Sequence, residues 1–551
     1  MPRVSYRLMK RRTRSIPELL TRLEILAQLR NIREGFALLD EVRKGMNSRG
    51  DFGGPNLIPL ALCLSQWMDL GYRDHTFLKM VIDRLPKRHS EMSFLDVMRL
   101  NLIEAFSYLS SEDSDRAITL LEQISIAGSE LMPEYLVFLT HFWKGRAHRK
   151  RGDYKHAAWH NQAARNSAER LQNPKLVAVT KIHESWLVFQ NGDLRRALQL
   201  LDEAEKELSP IGHALSLGNI ESARGRFIRR SGRYQEALQH FERAIELYRK
   251  DFSHHPNLAR AMVNAAYVRR LMALDLRAGT NRGQVRGSVN AKYLKLTRDA
   301  LELLKQAGEI YANHHHQGGT GSVLVNAGFL HLESGDIERA SIEADRAFKL
   351  GEEKKDLILM TRARNLQSAV NRARSEEQLD GDEDAYVYAK IAVELAEEAI
   401  ELAKKTENRR LLAEALIARG FAALDDQNRD MQMARFCASE ATTLLGEGDR
   451  DHLFKELGEL KEKILRSVGV EDTLRRWSEG QIGCKTFQQV QEEFAEIVIP
   501  RVWENLGRNV SRVSAQLSIS PKKVRRLLRK AHATTSKQAT SEQEIDDYST
   551  A

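Results

Sequence analysis

The sequence predicts an all-α protein, an α-solenoid of roughly ten helical hairpins followed by a small C-terminal helical module. The first observation is a pattern of helix, glycine turn and helix that recurs every 40 residues between residues 138 and 250. The second is the lack of alternating β-branched runs, which would indicate strands. The third is length, because 551 residues exceed a single compact core but suit one stack of repeats.

The repeated turns start at Gly152, Gly192 and Gly232. Gly145 and Gly225 stand seven residues before the first and third turns. Alanine recurs five and twelve residues after each turn glycine, at Ala157, Ala197, Ala237, Ala164, Ala204 and Ala244. Small side chains let two antiparallel helices approach closely, and glycine adopts the positive φ that ends a helix. The pattern therefore predicts stacked helix pairs.

This pattern resembles the tetratricopeptide repeat, whose usual unit has about 34 residues. The resemblance rests on the small residue in the first helix, the Gly-Asp-Tyr turn and the two alanines of the second helix. A fourth copy surrounds Gly335 and a degenerate one surrounds Ala438, so the predicted solenoid covers residues 16–446. The resemblance implies a superhelix whose first helices line a groove for peptides or partner helices.

The repeat frame assigns eight residues to the partner-binding groove. They are Arg146, Arg149, Trp186, Phe189, Arg226, Arg229, Tyr267 and Arg270. Because the guanidinium group pairs bidentately with a carboxylate, we expect the partner to be an extended acidic segment of a protein or peptide with an aromatic or aliphatic anchor. The alternative is that these arginines are solvated or paired with neighbouring glutamates.

Helical periodicity predicts the remaining pairs. They lie at 17–45, 57–85, 93–126, 257–312, 321–351, 356–404 and 409–445. We expect residues 278–290 to be an insertion and residues 313–321 to be a loop, whose three adjacent histidines have a metal site as their weaker alternative. Residues 1–15 are predicted to be a basic segment, either a solvated tail or the start of the first helix, with a contact to nucleic acid or RNA polymerase as the alternative. Residues 447–484 are predicted to be a helical linker.

Residues 485–532 differ in kind and form the predicted C-terminal module. Their pattern predicts a long helix at 486–506, a short helix at 510–517, a three-residue turn and a basic helix at 521–532. The spacing of the apolar residues predicts that the two short helices pack against each other across the turn. These residues are Val513, Leu517, Ile519, Val524 and Leu527. The tail at 533–551 is predicted to be disordered.

Positive charge is concentrated in this module. Residues 501–532 contain nine Lys/Arg and one Glu, which accounts for nearly all of the net charge of +9. A basic surface confined to one short segment is typical of proteins that bind the phosphate backbone of nucleic acid. The alternative is a solvated basic helix at a chain end.

The module is similar to the helix-turn-helix of the factor-for-inversion-stimulation (Fis) type that ends many bacterial enhancer-binding regulators. The similarity rests on the stretch 509–512, on Leu517-x-Ile519-Ser520 and on the basic third helix. It implies double-stranded DNA as ligand, the third helix in the major groove and a homodimer through residues 486–506. The residues expected to contact DNA are Asn509, Ser511, Arg512, Ser520, Lys522, Lys523, Arg525, Arg526, Arg529 and Lys530. Ser518 stands where the family usually has glycine, at a cost of about 1 kcal/mol if φ is positive there.

Enzyme motifs are missing from the sequence. We find no nucleophile elbow, phosphate-binding loop or His/Glu metal motif, so we expect no catalytic residue, no cofactor and no metal. Three cysteines, Cys63, Cys437 and Cys484, lie too far apart for a metal site and indicate reduced thiols, which suits the cytoplasm. No apolar run reaches the ~18 residues of a membrane helix.

The sequence therefore predicts a cytoplasmic bacterial regulator, in which the solenoid binds a protein or peptide and the C-terminal module binds DNA. The first alternative is a non-enzymatic scaffold that docks an effector protein or sigma factor without binding DNA. The second is a chaperone-like adaptor whose basic groove binds the free C-terminus of a partner. A steep loss of binding with rising salt would favour the DNA-binding prediction.

Overall fold

The computed structural model describes residues 15–49, 56–85, 92–128, 131–279, 286–378, 383–446, 449–467, 474, 477, 480–483, 485–506 and 509–528. The chain divides into two compact units, residues 1–461 and 462–551. The described residues contain helices and no strand, so the predicted all-α solenoid fold is confirmed.

The first unit is a succession of helices. They are α1 (Ile16–Gln28), α2 (Ile32–Arg49), α3 (Leu57–Asp69), α4 (His75–Ile82), α5 (Phe94–Ser110), α6 (Ser114–Gly128), α7 (Glu134–Arg151), α8 (Tyr154–Arg170), α9 (Pro174–Gln190), α10 (Leu194–Leu208), α11 (Ala214–Arg230), α12 (Tyr234–Asp251), α13 (Pro256–Gly279), α14 (Arg286–Asn313), α15 (Gln317–Glu333), α16 (Ile337–Lys354), α17 (Leu357–Glu377), α18 (Glu383–Lys404), α19 (Arg409–Ala423), α20 (Met431–Leu444) and the first part of α21 (His452–Ser467). From α1 to α20, each odd-numbered helix packs against the even-numbered helix that follows it, which gives ten hairpins in the described part of the chain.

The hairpin turns have the geometry that the glycine pattern predicts. Gly152, Gly192 and Gly232 adopt φ values of +84°, +96° and +77°, a region that glycine enters without strain. The aspartates that follow the first two glycines cap the next helix. Asp153 accepts a hydrogen bond from the backbone N of residue 156 at 3.2 Å, and Asp193 accepts one from the backbone N of residue 196 at 2.9 Å. Such caps contribute about 1 kcal/mol each.

Small residues bring the two helices together in the hairpins that follow the repeat pattern most clearly. A Cβ atom on Gly145 would lie 3.3 Å from the carbonyl oxygen of Ala157, and one on Gly225 would lie 2.9 Å from the ring of Phe241. The alanines of the second helices, Ala157, Ala197 and Ala237 among them, are buried. The sequence pattern therefore encodes the close packing of antiparallel helices.

Hairpins that are distant in sequence also touch. Arg73 Nη2 donates to the carbonyl oxygen of Asp251 at 2.7 Å across 178 residues, and Glu112 Oε2 accepts from the backbone N of Gly318 at 2.9 Å across 206 residues. The backbone N of Glu407 donates to the carbonyl oxygen of Gly152 at 2.9 Å. The stack of hairpins therefore coils, and residues about 200 positions apart meet across successive turns of the superhelix.

Two connections differ from the prediction. The helix α14 begins at Arg286, inside the predicted 278–290 insertion, of which residues 280–285 lie outside the described part. The predicted loop at 313–321 is also too long, because α15 begins at Gln317 with His316 as its cap. Its first turn is rich in glycine because neighbours approach closely: a Cβ on Gly319 would lie 2.5 Å from the ring of Tyr311. Packing thus overrides the low helix propensity of glycine.

The second unit contains the three helices of the predicted module, α22 (Phe487–Asn505), α23 (Val510–Leu517) and α24 (521–528). Their shared core holds the buried residues Ile499, Val513, Val524, Leu527 and Leu528, with Leu517 and Ile519 packed against it. The predicted packing of two short helices across a tight turn is confirmed. Ser518 in that turn adopts φ +52°, the conformation expected where the family has glycine.

Some predicted features lie outside the described residues. These are most of the basic segment, the predicted disordered tail, Cys484 and two expected DNA contacts, Arg529 and Lys530. Cys63 and Cys437 are buried and carry no disulfide. None of the described helices combines the length and the apolar character that a bilayer crossing requires.

Candidate functional site

The first unit contains a cavity of about 950 Å³, lined mostly by α3, α5, α7, α9, α11 and α13, the first helices of successive hairpins. Among the described residues its lining includes a single carboxylate, Asp69. The cations are much more numerous: Arg30, Arg73, Arg146, Arg149, Arg226, Arg260 and Lys354. The cavity is therefore a concentrated source of positive potential.

Asp69 offsets only one of these charges. Both of its carboxylate oxygens accept hydrogen bonds from Arg146 Nη1, at 2.6 and 2.7 Å, and Trp143 Nε1 donates to Oδ2 at 3.1 Å. Burial alone would raise the pKa of Asp69, but the charge and hydrogen bonds of Arg146 more than offset this and hold the pKa below its usual value. Asp69 is thus ionised and committed to Arg146.

Arg149 and Arg226 are left without a carboxylate partner in the described part of the chain. Their Nε atoms are shielded from solvent and donate to no described acceptor, and the Arg149 guanidinium lies over the ring of Trp186, 5.3 Å from its centroid. Burial, followed by repulsion from neighbouring arginines, lowers the pKa of Arg149 to about 10 and that of Arg226 to about 9. Both remain charged near neutral pH, so a ligand anion would relieve an unfavourable arrangement.

Three buried histidines in the lining add hydrogen-bonding groups without adding charge. Burial and the nearby arginines and histidines lower the pKa values of His213 and His255 to about 3, and the pKa of His183 lies well below its ordinary value. Each is therefore neutral near pH 7. The arginines and the lysine of the lining therefore supply its positive charge without a contribution from these three histidines.

The structure brings together four of the eight residues predicted for the groove. Arg146, Arg149, Trp186 and Arg226 line the cavity. The other four lie outside its lining: Phe189, Arg229, Tyr267 and Arg270.

Those four residues belong to packed clusters. Phe189 is buried, with its ring centroid 4.2 Å from that of Phe227. Arg229 lies over Tyr267, 4.6 Å from the ring centroid. Arg270 is buried and its Nε donates to Glu333 Oε1 at 2.7 Å, which is the pairing with a neighbouring glutamate named as the alternative. Their part in partner binding stays a prediction.

Sequence reasoning missed several cavity residues. Arg260 stands seven residues before Tyr267 on α13, two helical turns away on the same face, so the repeat frame could have found it. Arg30 and Asp69 belong to hairpins whose sequences match the repeat pattern too weakly for their positions to be assigned from it. Only the coiling of the superhelix brings them to the cavity.

An acidic stretch of the chain contacts arginines of the same unit. Asp449 Oδ1 lies 2.6 Å from Arg230 Nε, and Asp451 Oδ2 lies 2.5 Å from Arg410 Nη2. Both aspartates are buried, with exposed fractions of 5% and 4%. This solenoid therefore already holds one acidic segment through guanidinium–carboxylate pairs.

The basic side chains of the C-terminal module point away from its core. Arg512, Lys522, Lys523, Arg525 and Arg526 are all exposed, and none forms an ion pair with a described residue. Two of the other expected DNA contacts act as helix caps. Asn509 Oδ1 accepts from the backbone N of residue 512 at 3.1 Å, and Ser520 Oγ accepts from that of residue 523 at 3.3 Å. Ser511 is exposed beside them.

Comparison with known families identifies one segment. Residues 216–275 match the model of the tetratricopeptide repeat family. The matched tetratricopeptide segment covers most of α11, all of α12 and most of α13, and so includes the third clear copy of the sequence pattern. Among curated proteins, none matches the chain.

Several solved structures are similar to this chain at low identity. The Rap protein complexed with Competence and Sporulation Factor has 13% identity and a TM-score of 0.42, with 77% of this chain and 99% of that chain covered. NprR in complex with its cognate peptide NprX has 13% identity and a TM-score of 0.44, with coverage of 69% and 99%. The human IFIT1 dimer with m7Gppp-AAAA has 13% identity and a TM-score of 0.44, with coverage of 78% and 94%. At these values the similarity says nothing about ligands.

Proposed function

We propose that this protein is a non-enzymatic bacterial regulator of the cytoplasm, whose solenoid binds an acidic peptide segment and whose C-terminal module binds double-stranded DNA. The single observation that carries the first half is the uncompensated charge of Arg149 and Arg226 beside Trp186 in the cavity. Charged donors without partners are costly in a protein interior, and they persist where a ligand supplies the counter-charge.

Peptide carboxylates suit this cavity for two reasons. The planar guanidinium group binds both oxygens of a carboxylate at once, and an aromatic surface such as Trp186 accepts an apolar anchor. The pairs Arg230–Asp449 and Arg410–Asp451 provide an internal example of the same recognition. An acidic segment of a partner would meet Arg149 and Arg226 in the same chemical manner.

Binding of labelled peptide pools to the full-length chain tests this half. The two pools contain aromatic residues flanked either by Asp or by Asn, and we expect retention of the Asp pool only. Changing both Arg149 and Arg226 to Ala should weaken binding at least about tenfold, because charge-assisted hydrogen bonds are lost. Arg339→Ala removes an exposed guanidinium from the start of α16 and serves as the control. Equal binding by the double variant would exclude this role of the cavity.

The DNA-binding half rests on the second unit. Four basic side chains of α24 are exposed, whereas Val524, Leu527 and Leu528 of the same helix are buried in the core of the module. A helix of this kind, held by a short helix across a tight turn, can lie in the major groove while its cations contact phosphates.

Fluorescence anisotropy with genomic double-stranded DNA fragments tests this half. We expect the logarithm of the binding constant to fall with the logarithm of salt concentration, with a slope of about −0.9 per phosphate contact. Replacing Lys522, Lys523, Arg525 and Arg526 by Ala should remove most binding and flatten the slope. A matched variant removes the same charge from exposed positions of α14: Lys292, Lys295, Arg298 and Lys305. If both variants lose binding equally, the effect is one of net charge, and the scaffold alternative is preferred.

A further inference from the structure

The turn between α7 and α8 brings three potential metal ligands together. His148 Nδ1 lies 2.9 Å from Asp153 Oδ2, and His156 Nδ1 lies 2.8 Å from the same oxygen. The ligand atoms of all three side chains lie within 4.8 Å of one another. Two imidazoles and one carboxylate at such spacing are a ligand set that zinc and neighbouring transition metals bind.

These side chains are held by different parts of the hairpin. His148 is buried in the last turn of α7, Asp153 caps α8, and His156 lies in the first turn of α8 with its side chain 68% exposed. The buried histidine and the capping aspartate are positioned by the fold itself. The exposed histidine leaves a path from solvent to the cluster, which a metal site requires.

Other copies of the repeat show that helix capping does not need the histidines. Asp193 and Asp336 occupy the position of Asp153 and cap their helices by accepting from the backbone N of the third residue, at 2.9 and 3.2 Å. In the copy of Asp193 the positions of the two histidines hold Val188 and Arg196, and in the copy of Asp336 they hold His331 and Arg339. Among these three copies the complete His-Asp-His set is therefore found only at the turn of Gly152, and the copy at Gly192 forms its turn without either histidine.

Two further histidines, His160 and His141, continue from His148 through successive ring contacts. The ring of His160 stacks behind His148 at 5.4 Å, and its Nδ1 lies 3.0 Å from that of His141.

We propose that His148, Asp153 and His156 bind a divalent transition-metal ion of the zinc type. Three protein ligands leave a fourth coordination position for water or another donor. The ion would join the end of α7 to the start of α8, beside the Gly152 carbonyl that accepts a hydrogen bond from Glu407 of a later hairpin. This site lies outside the lining of the basic cavity and does not depend on the function proposed for it.

Titration of the full-length, chelator-treated chain with zinc sulfate in a calorimeter tests the site. We expect one equivalent to bind, and cobalt(II) to give the visible absorption of a low-coordinate complex at the same stoichiometry. His156→Ala should weaken binding at least about tenfold, and its exposed position leaves the core intact. Asp153→Asn should act similarly.

Two matched controls separate a metal site from general effects. Asp193→Asn alters the same helix cap in a copy without histidines, and His75→Ala removes a histidine from the cavity lining. Both should bind the single equivalent as the unaltered chain does. Unchanged binding in His156→Ala, equal loss in His75→Ala, or no binding by the unaltered chain would each overturn the proposal.

Discussion

Arg230 and Asp449 are separated by 219 residues, yet Nε of Arg230 lies 2.6 Å from Oδ1 of Asp449. The other carboxylate oxygen lies 2.9 Å from Arg410 Nη1, and the backbone N of Arg450 donates to the carbonyl oxygen of Arg230 at 3.0 Å. The segment that follows α20 is therefore fixed to α11 and α19 by a buried cluster of charges.

Asp449→Ala should lower the free energy of unfolding by about 3 kcal/mol or more, because it leaves Arg230 and Arg410 buried without this counter-charge. Denaturant unfolding followed by circular dichroism measures the change. Glu401→Ala breaks the exposed pair with Lys404 and should cost less than about 1 kcal/mol. Similar values for both variants would contradict the structural role of the buried pair.

Arg226→Met and Arg270→Met should have opposite effects on stability. Arg226 has no carboxylate partner among the described residues, so its replacement should stabilise the free protein by about 1 kcal/mol. Arg270 is paired with Glu333, so the same replacement leaves a carboxylate unpaired and should cost about 3 kcal/mol. Thermal unfolding of the two variants side by side gives the answer.

If Arg226→Met also destabilises, its guanidinium is not a source of strain, and the inference of a missing anionic ligand weakens. If it stabilises and peptide binding is lost, the residue is retained for binding at the expense of stability.

Gly225→Ala should destabilise the chain by about 1–3 kcal/mol, because the added Cβ would lie 2.9 Å from the ring of Phe241 in a tightly packed hairpin. A Cβ added to Gly458 in α21 would meet no atom within 4 Å, so Gly458→Ala should stabilise by about 0.5–1 kcal/mol through helix propensity. Unfolding free energies from urea titrations distinguish the two. A stabilising Gly225→Ala would show that the hairpin can open at this point without cost.

Stability should fall in acid because of His213. Burial and the neighbouring Arg30 and His255 lower its pKa to about 3, whereas an unfolded histidine titrates near 6.5. The folded-state pKa is depressed, so the unfolded chain takes up the proton first. The stability that the neutral ring contributes is present above about pH 6.5 and is lost as the pH falls towards 3. This residue alone should remove about 2 kcal/mol between pH 7 and pH 5.

His213→Gln, compared with the unaltered chain in unfolding experiments at several pH values, isolates that contribution. The variant should lose less stability than the unaltered chain over the acidic range. Parallel pH profiles would mean that His213 gains its proton in the folded state as easily as in the unfolded state.

The repeat pattern was sufficient to predict much of the fold. Turn glycines such as Gly152 and buried alanines such as Ala157 act within one hairpin, and the apolar residues Val513 and Val524 act across one turn. Such short-range interactions require particular residue types at fixed separations along the chain, and these separations can be recognised in the sequence. For that reason the hairpins and the core of the C-terminal module agree with the prediction.

The candidate site was predicted only in part. Arg146, Arg149, Trp186 and Arg226 follow the repeat frame and do line the cavity. Asp69 and Arg30 do not occupy positions of the repeat pattern. Their places in the cavity depend on how far each hairpin is rotated relative to the preceding hairpin. The start of α15 at Gln317 was not predicted because glycine has a low helix propensity. The contacts that favour glycine there come from Tyr311, close to Gly319, and from Glu112, which accepts a hydrogen bond from Gly318 across 206 residues.

By itself the sequence determined that the chain forms helical hairpins, where they turn, and that positive charge gathers at its C-terminal module, because each of these depends on residues near one another along the chain. Only the tertiary structure decided which charges meet, including the pairing of Asp69 with Arg146, of Asp449 with Arg230, and the lack of a described carboxylate partner for Arg226. The physical reason is that small rotations between successive hairpins add up over about 200 residues. The total rotation decides which side chains come together, and no local sequence pattern records it.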